Sequence, residues 1–183
     1  MLINLSLANM DRKLNWVKEA FSRDIAIVQD GQAVGGIQRY VFSYDVEAFL
    51  NKTHLRFDVT GFLVHAVNIH DINANDQIVG HIEFSFGKRA ELKLESGETY
   101  LWKRHNVLMR EWDMIRETSD GMAEKETVSY DLTRRFFEEH GDIVVDDTET
   151  TASVDVIVLA GLFIRNYFQR RRRMATGAVV AAS

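Results

Sequence analysis

Two sets of residues in this chain have types and spacings that could do chemistry: imidazoles beside carboxylates, and clustered basic groups. Glu138-Glu139-His140-Gly141-Asp142 places three acids and an imidazole within five residues, a composition suited to proton transfer or metal binding. A solvated turn ahead of Ile143 accounts for the same cluster and is the reading adopted. His65, His70 and His81 lie in or beside expected strands. The first two are five apart, which puts them on opposite faces of a regular strand. No histidine pair has strand spacing i, i+2 or the HExxH pattern of a zinc helix, so neither a metal nor a cofactor is expected. Val34-Gly35-Gly36-Ile37 lacks the spacing of a phosphate loop and the helix that should follow it. No G-x-S-x-G elbow presents a serine, and the absence of cysteine removes thiolate nucleophiles, thiolate zinc sites and disulfides. The expectation is a protein without catalytic activity.

The basic groups have a more definite use. Lys88-Arg89, Lys103-Arg104-His105, Arg134-Arg135 and the run Arg170, Arg171, Arg172, Arg173 could converge into a patch for anionic headgroups. Each lysine or arginine near an anionic membrane contributes about 1 kcal/mol, so four to six would give salt-sensitive attachment. The bland alternative is scattered solvated charge, compensated by Glu91, Glu95 and Glu111. Trp102 and Trp112 would serve as interfacial anchors or, by preference, as packing inside the fold. The formal charge is −5; Arg165 and Arg170–Arg173 supply five positives, and without them the rest carries −10. An acidic body with one basic end argues against general nucleic-acid binding. Anionic lipid or a protein partner is the expected contact.

Elements able to position these groups are mostly strands. Short β-rich runs separated by turns extend from Leu14 to Tyr130. Asp24–Val28 leads through Asp30-Gly31 to Ala33–Ile37, a hairpin signal. Phe62–Ile69, the turn 71–76 and Ile78–Phe84 make another. Both hairpins carry V-G-x-I, 45 residues apart, which reads either as a repeated strand pair or as two unrelated hairpins bent at glycine. Leu92–Leu94, Tyr100–Trp102, Thr127–Tyr130 and Ile143–Val145 add strands. Asp131–His140 fits a helix or an extended run. Asp147, Thr150 and Thr151 are candidate helix caps. With no proline in 183 residues, the turns rest on Gly, Asn and Asp.

The final helix, about 150–170, decides the architecture. Val156–Ile164 is apolar on every face, so protein or lipid must surround it. A membrane span needs about 20 apolar residues, and this run is bracketed by Asp155 and Arg165. A helix threaded through a closed sheet fits better, with those two charges near the two mouths. An anchor formed by 152–168 is the alternative. Residues 1–173 read as a single domain and 174–183 as a disordered tail. The N-terminus lacks the features of a secretory signal, which favours a cytoplasmic location, peripheral at the membrane.

The V-G-x-I hairpins, Tyr100-Leu101-Trp102-Lys103-Arg104 and Val158–Ile164 before arginines together resemble the tubby C-terminal-like superfamily, which includes LURP-one-related proteins and phospholipid scramblases. The resemblance spans about Asn15–Arg172 and rests on a pattern and order of elements. It implies a mainly β fold: a closed, largely antiparallel barrel of about twelve strands around a buried hydrophobic C-terminal helix. It implies further a non-catalytic binding or scaffold module touching anionic phospholipid. No motif aligns residue by residue with the tubby lipid site, and the cysteines and proline-rich segment of scramblases are missing. A ligand carrier or enzyme with a pocket at a barrel mouth is the remaining alternative.

Overall fold

The computed structural model describes residues 12–40, 45–60, 66–85, 89–118, 125–135, 137–146 and 153–180, with backbone alone at 125, 135 and 175–180. Thirteen strands precede one helix. In chain order they are β1 Arg12–Glu19, β2 Ile25–Gln29, β3 Gln32–Arg39, β4 Val46–Leu50, β5 Thr53–Thr60, β6 Ala66–Asp71 and β7 Gln77–Ser85. Then come β8 Arg89–Leu94, β9 Thr99–Arg104, β10 Glu111–Arg116, β11 Lys125–Asp131, β12 Thr133–Arg135, β13 Glu138–Val145 and the helix α1 Val154–Val180. Neighbours in sequence pair antiparallel from β1 to β11, β11 pairs with β13, and β13 returns to β1. Twelve strands therefore close a barrel, and β12 hangs outside on β13.

Period-two alternation builds the wall. Leu14 and Trp16 of β1, Leu55 and Phe57 of β5, and Ile143 and Val145 of β13 point inward and are buried. Between them lie Lys13, Asn15, Arg56 and Asp58, so the outside is polar. α1 occupies the interior. Ile157–Arg165 are nine consecutive buried residues, and their contacts come from opposite walls: Phe57 stacks on Phe163 at 4.4 Å, while Tyr130 reaches the helix from β11. The Tyr130 hydroxyl bonds to the carbonyl oxygens of Ile157 and Val158, at 3.2 and 3.1 Å. It fits because residue 161 is glycine: a Cβ there would lie 2.3 Å from that hydroxyl oxygen.

The Asp30-Gly31 hairpin forms as expected, with positive φ at both residues, 51° and 78°. The V-G-x-I copies share one local structure. Val34 and Val79 are each the extra residue of a bulge, since Ala33 and Gly35 pair with Val28 and Ile27 while Ile78 and Gly80 pair with His70 and Ile69. Gly35 and Gly80 face Leu50 and Leu94 of the next strand. A Cβ on either would fall under 3.0 Å from a carbonyl oxygen of that strand.

One expectation is adjusted and two open alternatives are resolved. Asp131–His140, read as either helix or extended, supplies the end of β11, β12 and the start of β13 among its described residues, because β13 must complete the wall beside β1. The helix continues to Val180, so the backbone of 174–180, read as tail, is helical; propagating a helix already nucleated costs little per residue. Within the alternative anchor 152–168, Ile157–Arg165 is enclosed by the wall and is not exposed. Among the described residues no helix is long and apolar enough to cross a membrane. The cap candidates Asp147, Thr150 and Thr151 and the histidine His65 lie outside the described residues.

Candidate functional site

The two barrel ends differ. α1 enters beside Asp155, which accepts from Arg12 at 3.1 Å and from Asn51 at 2.9 Å, near the mouth as expected. Arg165 was expected at the other mouth and instead lies inside, 1% exposed. Its Nη2 donates to Glu139 at 3.1 Å, and its guanidinium carbon sits 5.0 and 5.2 Å from the rings of Trp16 and Trp112. Cation–π contact with the two indoles gives the charge a partner that water would otherwise supply. Its Nε and Nη1, which find no oxygen acceptor, lie in this aromatic cage.

Just outside Arg165, at the end where the helix leaves the barrel, lies a cavity of about 590 Å³. Strand alternation and helix periodicity together build it. Lys18 continues the inward row Leu14, Trp16; Arg39 continues Gly35, Ile37; Glu139 begins the row Gly141, Ile143. On α1, Arg165, Gln169 and Arg173 recur every four residues and face the same way. Apolar inward rows thus end in charged groups where the interior meets solvent. Arg23 and Phe21 from the β1–β2 turn, Arg134 from β12, Phe137 from the turn after it, and the carboxylates Glu19 and Glu138 at the ends of β1 and β13 also line it. The two turns are joined by the Ala20 amide donating to the Phe137 carbonyl.

Glu139 is the organising carboxylate. Burial pushes its pKa up, but the charges of Arg165 and Arg134 outweigh burial and hold it below the usual range. It accepts from Arg165, from Gln169 at 3.2 Å and from Arg134 at 3.0 Å. Lys18 donates to Asn166 at 3.2 Å. Burial, reinforced by the charges of Arg165, Arg173 and Arg39 and opposed by Glu139, lowers its pKa to about 8. Burial and the charges of Arg170 and Arg23 likewise depress Arg39, with Asp24 opposing. These cations crowd one another, and an anion placed among them would relieve the repulsion. A carboxylate held ionised this firmly is a weak base.

The basic residues singled out in the sequence divide into two groups. Arg134 and Arg173 line the cavity, and Arg170 lies close enough to influence Arg39. Arg171 lies over the Tyr167 ring at 5.9 Å, and Arg172 is exposed on the projecting helix. Arg89, Lys103 and Arg104 occupy β8 and β9, across the ring of strands from β1. They share the helix-exit end without joining the cavity. Lys88 and the Arg135 side chain lie outside the described residues. His105, adjacent to Arg104, turns to hydrogen-bond the buried Asp113, whose pKa burial raises. Trp102 and Trp112 are both buried, packing against Phe168 and Tyr130. Sequence reasoning missed Lys18, Arg23, Arg39, Phe21 and Phe137. For Lys18 and Arg39 a signal existed: each is a cation in phase with an inward apolar row at a strand end. Among the described residues no group of three His, Asp or Glu side chains is arranged to hold a metal ion.

The class these features define is a closed antiparallel barrel filled by its own helix, with a cationic cavity at one mouth. Compared with known protein families, with curated proteins and with solved structures, the chain matches none.

Proposed function

We propose that this chain is a non-catalytic, tubby-like binding module that sits peripherally on a membrane and holds the phosphate-bearing headgroup of an anionic phospholipid in the helix-exit cavity. One observation carries the reading. Lys18, Arg23, Arg39, Arg134 and Arg173 line one cavity and outnumber its three carboxylates, Glu19, Glu138 and Glu139, of which the most enclosed, Glu139, is already engaged by Arg165, Gln169 and Arg134. The cavity is of a size suited to a small ligand. The barrel lumen is not a competing site, since α1 fills it.

Co-sedimentation with vesicles tests the proposal. Phosphatidylcholine vesicles should leave the protein in the supernatant, and vesicles containing a phosphoinositide at moderate salt should pellet it. Charge reversal at Arg39 and Arg173 should weaken pelleting by about 30-fold or more, since even neutralising two cations removes about 2 kcal/mol. Equal recovery in the supernatant with both vesicle types would end the proposal.

A further inference from the structure

We infer that the helix-exit end of the barrel is the face that meets the bilayer, with Phe21 and Phe137 entering the lipid interface around the cavity. The inference rests on the lipid reading above and adds an orientation and an insertion surface to it. Among the described residues seven large apolar side chains are exposed: Phe21, Tyr40, Phe49, Val107, Leu108, Phe137 and Met174. Six of them, all but Phe49, lie in the turns or helix segment at the helix-exit end. Phe21 is 99% exposed and Phe137 75%, although a soluble surface rarely concentrates apolar side chains at one rim.

Phe21 also has φ of 68°, a left-handed conformation that suits Gly or Asn and is uncommon for a bulky residue. A side chain with almost no packing, held in a costly backbone conformation, points to a function outside the fold. Charge agrees. The rim carries the cavity cations, and the helix passes through it as Arg170–Arg173 before the uncharged stretch 174–180. Positive charge beneath projecting apolar groups is the arrangement that suits an anionic bilayer. The opposite end is its inverse. Its described connecting residues, 30–31, 51–52, 72–76, 95–98, 117–118, 146 and 153, contain six carboxylates, one lysine and no aromatic residue. The barrel wall is polar outside and apolar within, the reverse of a membrane-spanning barrel. Docking by one end is the geometry left.

Tryptophan reporters can read the orientation, because the native Trp16, Trp102 and Trp112 are at most 2% exposed. Phe21→Trp, Phe137→Trp and, at the far end, Asn73→Trp would be mixed with vesicles of brominated phosphatidylcholine and phosphatidylserine. Bromine should quench the added fluorescence at 21 and 137 and leave that at 73 unchanged. Phe21→Ser with Phe137→Ser should lower vesicle partition at least tenfold, the scale of losing one buried aromatic side chain. The wild-type protein, without any vesicle, should bind inorganic pyrophosphate in solution. Vesicle binding without quenching at 21 and 137, or undiminished in the double serine variant, overturns the orientation and leaves the headgroup reading standing. No binding to any vesicle overturns both. Pyrophosphate binding would then assign the cavity to a free phosphate compound.

Discussion

Replacing Phe21 by asparagine should make the protein more stable and a poorer membrane binder. Phe21 is the second of the five residues 20–24 joining β1 to β2, at φ 68° and 99% exposed. Packing therefore contributes almost nothing to hold it there. An L-residue in the left-handed region costs about 1–2 kcal/mol, and asparagine recovers part of that through local hydrogen bonding. The expected gain is about 0.5–1 kcal/mol, or about 1–4 °C in Tm for a domain of this size. In the vesicle assay the direction reverses. A phenylalanine fully transferred from water is worth about 1.5–3 kcal/mol, so partial insertion predicts roughly a tenfold loss of partition. Urea unfolding and vesicle co-sedimentation on the same preparation read both quantities. A destabilised Phe21→Asn protein would show that Phe21 supports the turn through packing. A stabilised protein with unchanged partition would show that the strain has nothing to do with lipid. Either result refutes the reasoning.

Gly161→Ala should destabilise the barrel: alanine's helix preference returns about 1 kcal/mol, but overpacking against the Tyr130 hydroxyl costs about 1–3 kcal/mol. Adding Tyr130→Phe should cost less than the two single changes summed, because it removes the closest contact; thermal unfolding of the three variants checks this. Arg165→Met and Glu139→Gln should each lose about 3 kcal/mol by leaving a partner uncompensated, and the double variant should recover much of it. A strictly additive double-mutant cycle would contradict the pairing. Lys18, lowered to about 8, should make anion affinity fall as pH rises from 7 to 9. Its folded pKa lies below its unfolded one, so burying its charge costs stability below pH 8, and that cost is relieved as pH rises toward 10.5. Lys18→Met should flatten both dependences in binding and unfolding measurements. Ending the chain before Asp147 should give an aggregating product, since the barrel interior would lose the helix that fills it.

The architecture was legible because two periods left clear traces. The unbroken Val156–Ile164 run required a surrounding wall, and alternating strands with Gly, Asn and Asp turns supplied one. The β4–β5 hairpin left a weaker trace: its turn is Asn51-Lys52, with φ of 54° at Asn51, and lacks the glycine that marks such turns. The fate of Asp131–His140 depended on closure with β1, more than a hundred residues away, which local spacing cannot express. Arg165 is the more instructive difference. A charge ending an apolar run looks like an exit to water, but two tryptophans from β1 and β10 and a glutamate from β13 enclose it. Basic dipeptides drew attention in the sequence because they are adjacent, yet adjacent strand residues point to opposite faces. The cavity cations come one each from β1, the β1–β2 turn, β3, β12 and α1, and only the barrel end brings them together.

The central claim is that a phosphate-bearing headgroup sits beside Lys18 in the helix-exit cavity. Its most direct test is the Lys18 ammonium titration followed by NMR, with and without a soluble phosphorylated headgroup such as inositol trisphosphate. The account predicts a midpoint near 8 in the free protein and a clear rise on ligand addition, because a bound anion favours the charged amine. A midpoint that stays put at saturating ligand, or no ligand binding at all, would contradict it.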